Sequence, residues 1–564
     1  MNGDPAPART GTWARRDRVR RWAAHIATAL GVLGLVSAVS PPLRGRLAVL
    51  LEVLPLVVPR TAVLTLVFVS VALVLTARGL RRGHRVAWLA AELLLVSSVV
   101  LHLSKGLDVE EAVAAGAGAV WLGMRHRAFR VLPPRQVGIR GAVLAVVGAV
   151  SVVAASWALG AQAPWVGSGV PRASGVLVGR TAGNAPGTVP AHVALPALAA
   201  AAVALLLAMA WVLLTPRTPE PLTGEAHRRE RERAREVVVR YGGESLDFFA
   251  LRDDKQWFFA GQSVVAHAVR GSVCLVSPDP IGPADERAEC WTEFLTYAER
   301  QGWSVAVIGA AESWLPIYES SGLRTFYLGD EAVVDCRGFT IHGHRLKSVR
   351  RAHRRVADAG YQVTFHEPAD LDAGTRERLG VIAGEGRRGA AERGFSMTLS
   401  RLFDSADAGV LVAVVRDPAG TPVAFAQWVP APHLPGWSLD VMRRSRAEGE
   451  PNGVMDFLIV ETIWHVSDLG AEALGLNFAM WRRTISDDPA TVAHLRRTVL
   501  RWMSRSAQIE SLWRFNAKYD PRWVPRYAAV TADLVAAQSL AIAGAEGLVP
   551  ARGRRAAVAR AGKE

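Results

Sequence analysis

Residues 61–103 read TAVLTLVFVSVALVLTARGLRRGHRVAWLAAELLLVSSVVLHL. Two apolar runs, 61–77 and 86–103, flank Arg78, Arg81, Arg82 and Arg85. Each approaches the roughly 20 residues that a helix needs to cross a bilayer, and an arginine cluster between two such runs marks a cytoplasmic loop. The alternation continues in both directions, with apolar stretches at 22–40, 109–124, 141–160 and 194–214. Arginines gather at 15–21, at Arg125, Arg127, Arg130 and Arg135, and from Arg217 onward. Six spans with both ends in the cytosol put every cluster on one side of the membrane and the Gly/Pro/Ala-rich loop 161–193 on the other. The shorter run Leu47 to Val58 contains Glu52 and Pro55 and reads as interfacial. Because the first apolar run follows a basic segment and precedes others like it, it reads as an anchor and not a cleavable leader.

The 564 residues exceed one ordinary domain, and a net charge of +15 coexists with 50% hydrophobic residues. The two properties belong to different parts of the chain. Apolar sequence dominates before about residue 217, and charges of both signs are mixed evenly after it. Residues 225–240, EAHRRERERAREVVVR, have the alternating charge of a solvated helix. Beyond it, strand-like runs such as Ser304–Gly309 and Val410–Val415 alternate with helical patterns such as Arg287–Gln301 and Phe457–Leu469, the signature of α/β architecture. The expected organisation is a basic cytosolic tail (1–21), a membrane domain of about six helices (22–216), a charged linker helix (217–236), two lobes (237–340 and 341–545) and a basic tail (546–564). Cys274, Cys290 and Cys336 lack CxxC spacing, so neither a disulfide framework nor a zinc site is expected and a reducing compartment fits.

Familiar catalytic signatures are missing. There is no GxSxG, Walker loop or HExxH, and the GxGxxG formed by Gly384, Gly386 and Gly389 has no strand before it. His342 and His344 fit a surface turn. In the membrane part, Glu92 and His102 are the polar residues that a solvated loop explains least well.

Several strings in the second half occur in a fixed order: SPDPIG at 277–282, KSVRR at 347–351, WSLDVMRR at 437–444, PNGVMDFLI at 451–459 and FNAKYDPRWVPRY at 515–527. Together with HLSKGLDVEE at 102–111, this set resembles the multiple peptide resistance factor family, the aminoacyl-phosphatidylglycerol synthases known as phosphatidylglycerol lysyltransferases. The resemblance implies a multi-pass protein of the cell membrane with a cytosolic catalytic domain of two acetyltransferase-like (GNAT-like) lobes. Such a domain moves an aminoacyl group, lysyl in the first instance, from aminoacyl-tRNA to the glycerol hydroxyl of phosphatidylglycerol. The product makes the bilayer surface less anionic and confers resistance to cationic peptides. Exchange of one ester for another needs no redox cofactor or nucleotide, only a held hydroxyl and a stabilised oxyanion.

On this reading Asp440, Arg443 and Lys518 are the candidate catalytic residues. The acid would hold the amino acid's ammonium and the cations would face anionic oxygens; a structural ion pair is the competing reading. Arg526 joins Lys518 across the Pro521–Pro525 loop as a phosphate-facing cation. Asn452 and Gly453 form a turn that presents Asp456 on the next helix, with Glu461 beyond it, although either acid would also serve as a helix cap. Lys347, Arg350 and Arg351 belong to a basic helical face suited to tRNA or to the anionic leaflet, or simply to solvation. Trp513, Phe515, Trp523 and Tyr527 are core or groove residues. Asn516 departs from the pattern, standing where the resemblance leads one to expect lysine. No fused lysyl-tRNA synthetase is seen, so charged tRNA is expected from the cytosol. The alternatives are a membrane-tethered acetyltransferase acting on a small amine, opposed by the lack of an Arg/Gln-x-x-Gly-x-Gly/Ala turn, and a non-catalytic lipid-binding relative. The sequence leaves the oligomeric state open.

Overall fold

The computed structural model describes residues 10–39, 57–106, 108–131, 222–387, 394–431, 435–447, 449–480 and 514–547. Contacts divide the chain into two units, Met1–Thr218 with Thr296–Ser304, and Pro219–Leu295 with Val305–Glu564.

The first unit contains α1 (Thr10–Val39), α2 (Val57–Arg81), α3 (Arg85–Gly106) and α4 (Val109–Met124). Its interior sets the buried Ala23, Ala27, Ala77, Ala91, Ala112 and Ala115 among Leu73, Leu80, Leu95, Leu122 and Phe129. Large apolar residues point outward, with Leu93 69% exposed and Val113 and Val120 each 64%. That distribution is what packing in lipid favours, since small residues let helices approach while large ones meet the acyl chains. Two segments, Arg15–Ala38 and Arg85–Leu103, are long and apolar enough to cross a membrane, with mean hydropathies of 1.2 and 2.0. Because α1 begins at Thr10, the basic residues 15–21 form turns of that helix and not a tail ahead of it. Asp17 supplies their counter-charge, pairing with Arg81 at 2.6 Å and Arg21 at 3.4 Å. The spans expected at 141–160 and 194–214 lie outside the described residues, as does nearly all of 47–58.

In the second unit, α5 (Gly224–Tyr241) precedes β1 (Gln256–Ala260), β2 (Ser263–Arg270), β3 (Val273–Val276), α6 (Arg287–Gln301), β4 (Ser304–Ala310), α7 (Leu315–Ser320) and β5 (Leu323–Asp335). Then come α8 (Lys347–Asp358), β6 (Gln362–His366), α9 (Ala373–Arg387), β7 (Leu411–Arg416), β8 (Pro422–Ala431), β9 (Gly436–Arg444), α10 (Val454–Asp468), β10 (Ala473–Met480), β11 (Arg522–Thr531) and α11 (Val535–Ala545). The strands form one 11-stranded sheet in the order β1-β2-β3-β4-β11-β5-β10-β9-β8-β7-β6. The C-terminal β11 therefore completes the half of the sheet built from residues 256–335.

Strands covered on both faces are apolar throughout. In β7, Ala413 and Val415 enter a core with Val349 and Val356 of α8 and with Phe457, Leu458 and Ile463 of α10. The alternate Val412 and Val414 pack with Leu379 and Ile382 of α9 on the other face. The stretch Pro521–Pro525, expected as a loop, largely belongs to β11, where Pro525 pairs with Asp330 of β5. Proline is tolerated there because β4 pairs with β11 only from Tyr527 to Ala529, so no ladder bond is asked of Pro525 on that side.

One irregularity positions the site. β9 and β10 run parallel but share only the pairs Gly436↔Ala473, Trp437↔Leu474 and Ser438↔Gly475. Past that point β9 stays with β8 as far as Arg444, while β10 follows β5 from Asn477↔Ala332 to Met480↔Gly329. The sheet forks.

Candidate functional site

At the fork, a Cβ on Gly475 would stand 3.0 Å from Glu331 Oε1 and 3.0 Å from Ser438 Oγ, so a side chain there would crowd both. Glu331 is 1% exposed, and its other oxygen is fully engaged. Oε2 accepts from Ser245 Oγ at 2.7 Å and from Arg526 Nε and Nη2 at 3.1 and 2.8 Å. Arg526 also donates to Ser245 Oγ at 2.9 Å and to Glu244 at 3.1 Å. Burial works against the guanidinium's charge, but Glu331 and Glu244 outweigh it and hold its pKa above the ordinary value. A buried ion pair of this kind contributes little net stability while intact, yet breaking it by removing one partner costs about 3–5 kcal/mol. Arg526, read from the sequence as a phosphate-facing cation, is thus 2% exposed and committed to carboxylates.

Two further acids lie close by. Asp247 accepts the Gly243 and Glu244 N–H groups at 2.8 and 3.0 Å, yet burial pushes its pKa up to about 7. Burial likewise raises Asp279 to about 6, against hydrogen bonds from the Ala311 N–H at 2.7 Å and the Tyr318 hydroxyl at 2.5 Å.

Asp440 and Arg443 are three residues apart, a spacing that puts side chains on opposite faces of a regular strand. The pairing with β8 passes from Gln427↔Val441 to Trp428↔Leu439, which leaves Asp440 as the extra residue of a β-bulge. There it accepts the Leu399 N–H at 2.9 Å through Oδ1 and Gln427 Nε2 at 2.7 Å through Oδ2. Gln427 in turn accepts the Phe403 N–H at 2.9 Å and donates to the Arg401 carbonyl at 3.2 Å. Asp440 thereby organises the turn 399–403, in which Ser400 and Phe403 hold left-handed backbone at φ 59° and 56°. Such conformations cost non-glycine residues about 1–3 kcal/mol each and persist only where neighbours fix them.

Arg443 sits near the end of β9 and donates to the Met442 carbonyl at 2.9 Å. With Arg444, Arg446, Glu450, Asn452 and Met455 it lines an open cavity of about 630 Å³. Asn452 reaches that cavity through the expected turn: Gly453 caps α10 at φ 109°, where a Cβ would stand 2.7 Å from that of Ala352 on α8. The helix then presents Asp456, which accepts Lys518 Nζ at 3.0 and 3.2 Å and the Tyr519 hydroxyl at 2.8 Å. Asn516, one turn before Tyr519, is fully buried, and among the described residues neither of its side-chain polar atoms has a hydrogen-bond partner. Glu461 pairs with His353 Nε2 at 2.7 Å.

On α8, Lys347 and Arg351 are exposed, while Arg350 donates to the Ile341 and Gly343 carbonyls at 2.9 and 3.0 Å. Phe515 and Trp523 pack against the sheet core, and Tyr527 meets Tyr327 edge-on at 6.2 Å; Trp513 lies outside the described residues. Cys274, Cys290 and Cys336 are free and buried.

The structure therefore unites Asp456 with Lys518, and Arg443 with Asn452. It engages Asp440 with Gln427 and Leu399, Arg526 with Glu331, and Glu461 with His353, as separate groups. Sequence reasoning missed Glu331, Ser245, Gln427 and Tyr519. A signal existed for the first, because Asp330 and Glu331 are two acids inside the apolar run LRTFYLGDEAVVD.

The described residues thus form an α/β protein with a single forked sheet, buried ion pairs and a cavity at the end of β9. The structure of L-PGS from Bacillus licheniformis matches it with a TM-score of 0.50 at 24% identity, covering 56% of this chain and 96% of that one. Residues 235–530 match the family described as phosphatidylglycerol lysyltransferase, C-terminal, and the chain belongs to that family. Among curated relatives, the lysylphosphatidylglycerol biosynthesis bifunctional protein LysX of Mycobacterium ulcerans (strain Agy99) is 33% identical over 491 residues, covering 81% of this chain and 43% of the relative. Its counterpart in Mycobacterium tuberculosis (strain ATCC 25618 / H37Rv) is 32% identical over 485 residues, covering 81% and 41%. The chain spans less than half the length of these relatives.

Proposed function

We propose that this chain is an aminoacyltransferase that moves an aminoacyl group, lysyl in the first instance, from aminoacyl-tRNA to the glycerol hydroxyl of phosphatidylglycerol. The observation that carries the reading is the family match, which runs from within α5 to the end of β11 and so takes in the whole forked sheet. The two halves of that sheet act as acetyltransferase-like lobes, the first built from the strands before residue 340 together with β11 and the second from the strands between them. The N-terminal helices anchor the protein as six spans of the cell membrane, an arrangement supported by the outward-facing valines and leucines of α1, α3 and α4.

Chemically, the acceptor hydroxyl attacks the ester carbonyl of the charged tRNA, the new ester forms, and the tRNA ribose oxygen leaves with a proton. Charge develops on the carbonyl oxygen, and fixed donors aimed at it lower the barrier. Arg443, which lines the cavity, and Lys518, paired with Asp456, are the cations assigned to that oxygen and to the lipid phosphate. Asp440 fixes the turn 399–403, Asn452 lines the cavity with Arg443, and Asp456 and Glu461 are assigned to substrate binding through Lys518 and His353. The exposed cations of α8, Lys347 and Arg351 with Arg350 behind them, attract the tRNA backbone or the anionic leaflet.

The test is transfer of radiolabelled lysine from purified lysyl-tRNA into phosphatidylglycerol vesicles by the full chain. Label appearing in lipid supports the reading. Absence of label with well-folded protein, tried with other charged tRNAs as well, overturns it.

A further inference from the structure

The helix α11 has its polarity reversed. Its sequence, VAAQSLAIAGA, contains no charged residue. A helix on a protein surface ordinarily turns its apolar stripe to the core and its polar residues to water. Here the longest polar side chain points inward: Gln538 is fully buried, accepting the Thr531 N–H at 2.7 Å and donating to the Val305 carbonyl at 3.1 Å. Glu546, just past the helix, also turns to the protein and accepts the Ser396 N–H at 3.0 Å. Val535, Ala541, Ile542 and Ala545 close the inner face against Ala306, Ile308 and Val530 of the sheet. The outer face is left with Ala536, Ala537, Ser539, Leu540 and Gly544, all exposed, and Leu540 is 54% exposed.

The same side of the sheet carries a second uncovered apolar group. Ala528 and Val530 share a face of β11, and Val530 packs against α11; Phe326 pairs with Ala528, lies on that face and is 45% exposed. The apolar helix Ala532–Ala545 is too short to cross a bilayer but has the length of an interfacial segment. The sequence just beyond it supplies charge of one sign: Arg552, Arg554, Arg555, Arg560 and Lys563, with no acid among residues 552–563. Cations beside an uncharged apolar face suit an anionic lipid surface, where headgroups attract the cations and the apolar residues enter the acyl boundary. A second copy of this chain would instead bring the same cations against themselves.

We infer that the outer face of α11 is a membrane-contact surface, which seats Ala537, Leu540 and Gly544 at the headgroup–acyl boundary of an anionic leaflet, held there by the cations that follow. The spacing of these three residues puts them on one stripe of the helix. The contact is additional to the apolar helices of the first unit and independent of the reaction that the second unit carries out. Because α11 follows β11 directly, it ties a strand in the middle of the sheet, the one that bears Arg526, to the lipid surface.

The test uses the full chain in nanodiscs, labelled at Ala537→Cys with a nitrobenzoxadiazole fluorophore; Cys274, Cys290 and Cys336 are buried and escape the label. In phosphatidylglycerol discs, lipids with a doxyl group on an upper acyl carbon should quench the label about twofold or more, and aqueous acrylamide should reach it poorly. Lipid quenching should fall several-fold in phosphatidylcholine discs. It should fall likewise in phosphatidylglycerol discs when Leu540→Glu places a charge on the face, or when Arg552, Arg554 and Arg555 are together replaced by Gln. Melting curves check the variants, and the comparison of the two lipids needs neither of them. A label open to acrylamide in both kinds of disc refutes the contact. A label shielded from acrylamide yet unquenched by the doxyl lipid also refutes it, since a protein surface then covers the face. Equal lipid quenching in both discs overturns the role given to the cations.

Discussion

Replacing Asp440 with Asn changes one atom's hydrogen-bonding role and should be felt well beyond that atom. Both carboxylate oxygens accept, one from the Leu399 N–H at 2.9 Å and the other from Gln427 Nε2 at 2.7 Å. An asparagine offers one acceptor, so its own NH₂ must confront one of these donors. Gln427 cannot relieve the clash by flipping, because its Oε1 already holds the Phe403 N–H and its Nε2 the Arg401 carbonyl. One buried donor is left unpaired, at about 1–3 kcal/mol. Part of that loss falls on the strained turn that carries Ser400 and Phe403. Asp440→Asn should therefore lower stability by about 1–3 kcal/mol and reduce the transfer rate. The check is a double-mutant cycle with Gln427→Ala, read by chemical denaturation. If the clash is the cause, Asp440→Asn costs markedly less once Gln427 is gone, with a coupling of about 1 kcal/mol or more. Additive losses in the double mutant would refute the argument.

Lys518→Ala should cut transfer about a hundredfold, roughly 3 kcal/mol of barrier, and Arg443→Ala similarly. Lys518 is about a third exposed but Asp456 only 12%, so the first variant should also cost about 1–3 kcal/mol of stability, and folding is checked beside turnover; near-normal turnover would remove both cations from the site. Asp247 has a folded-state pKa raised to about 7, so the native state binds the extra proton and is progressively penalised as pH rises from the ordinary carboxylate range near 4 towards 7. Asp247→Asn, whose Oδ1 can still accept both backbone N–H groups, should flatten that decline in melting curves taken from pH 4 to 8; an unchanged slope would contradict the assignment. Arg351→Ala, on the exposed face of α8, should chiefly steepen the loss of tRNA or vesicle association with salt, and unchanged salt dependence would mark that face as merely solvated. A reporter fused after Gly187 should be extracellular and one after Gly224 cytosolic, the reverse overturning the six-span topology.

Much of the fold was legible because its signals are local. The runs Ser304–Gly309 and Val410–Val415 became β4 and β7, and the periodic stretches Arg287–Gln301 and Phe457–Leu469 became α6 and α10, each within a few residues. Asn452-Gly453 was legible as a turn because a left-handed cap before a helix favours glycine. What the sequence hid depends on non-local pairing. That β11 joins β4 and β5 follows from partners some 190 or more residues away, and two prolines disguised its first half. The bulge at Asp440 exists only against β8, so one-dimensional spacing could suggest that Asp440 and Arg443 act together but not that Gln427 and Leu399 occupy the acid. Arg526 looked like a solvent-facing cation in a Pro-rich string, and only the placement of β5 beside β11 brings Glu331 to it. In the membrane part, arginine clusters and apolar length revealed α2, α3 and α4, whereas the helical continuation of α1 into its basic segment was masked by the density of charge.

The central claim is that this chain makes an aminoacylated lipid, and the most direct test is lipid extraction and mass spectrometry from cells with and without the gene. With the intact gene, a phosphatidylglycerol species heavier by one aminoacyl group, lysyl in the first instance, should appear, and it should vanish in Lys518→Ala. Lipid profiles that are identical with and without a well-expressed, membrane-inserted protein would contradict the account.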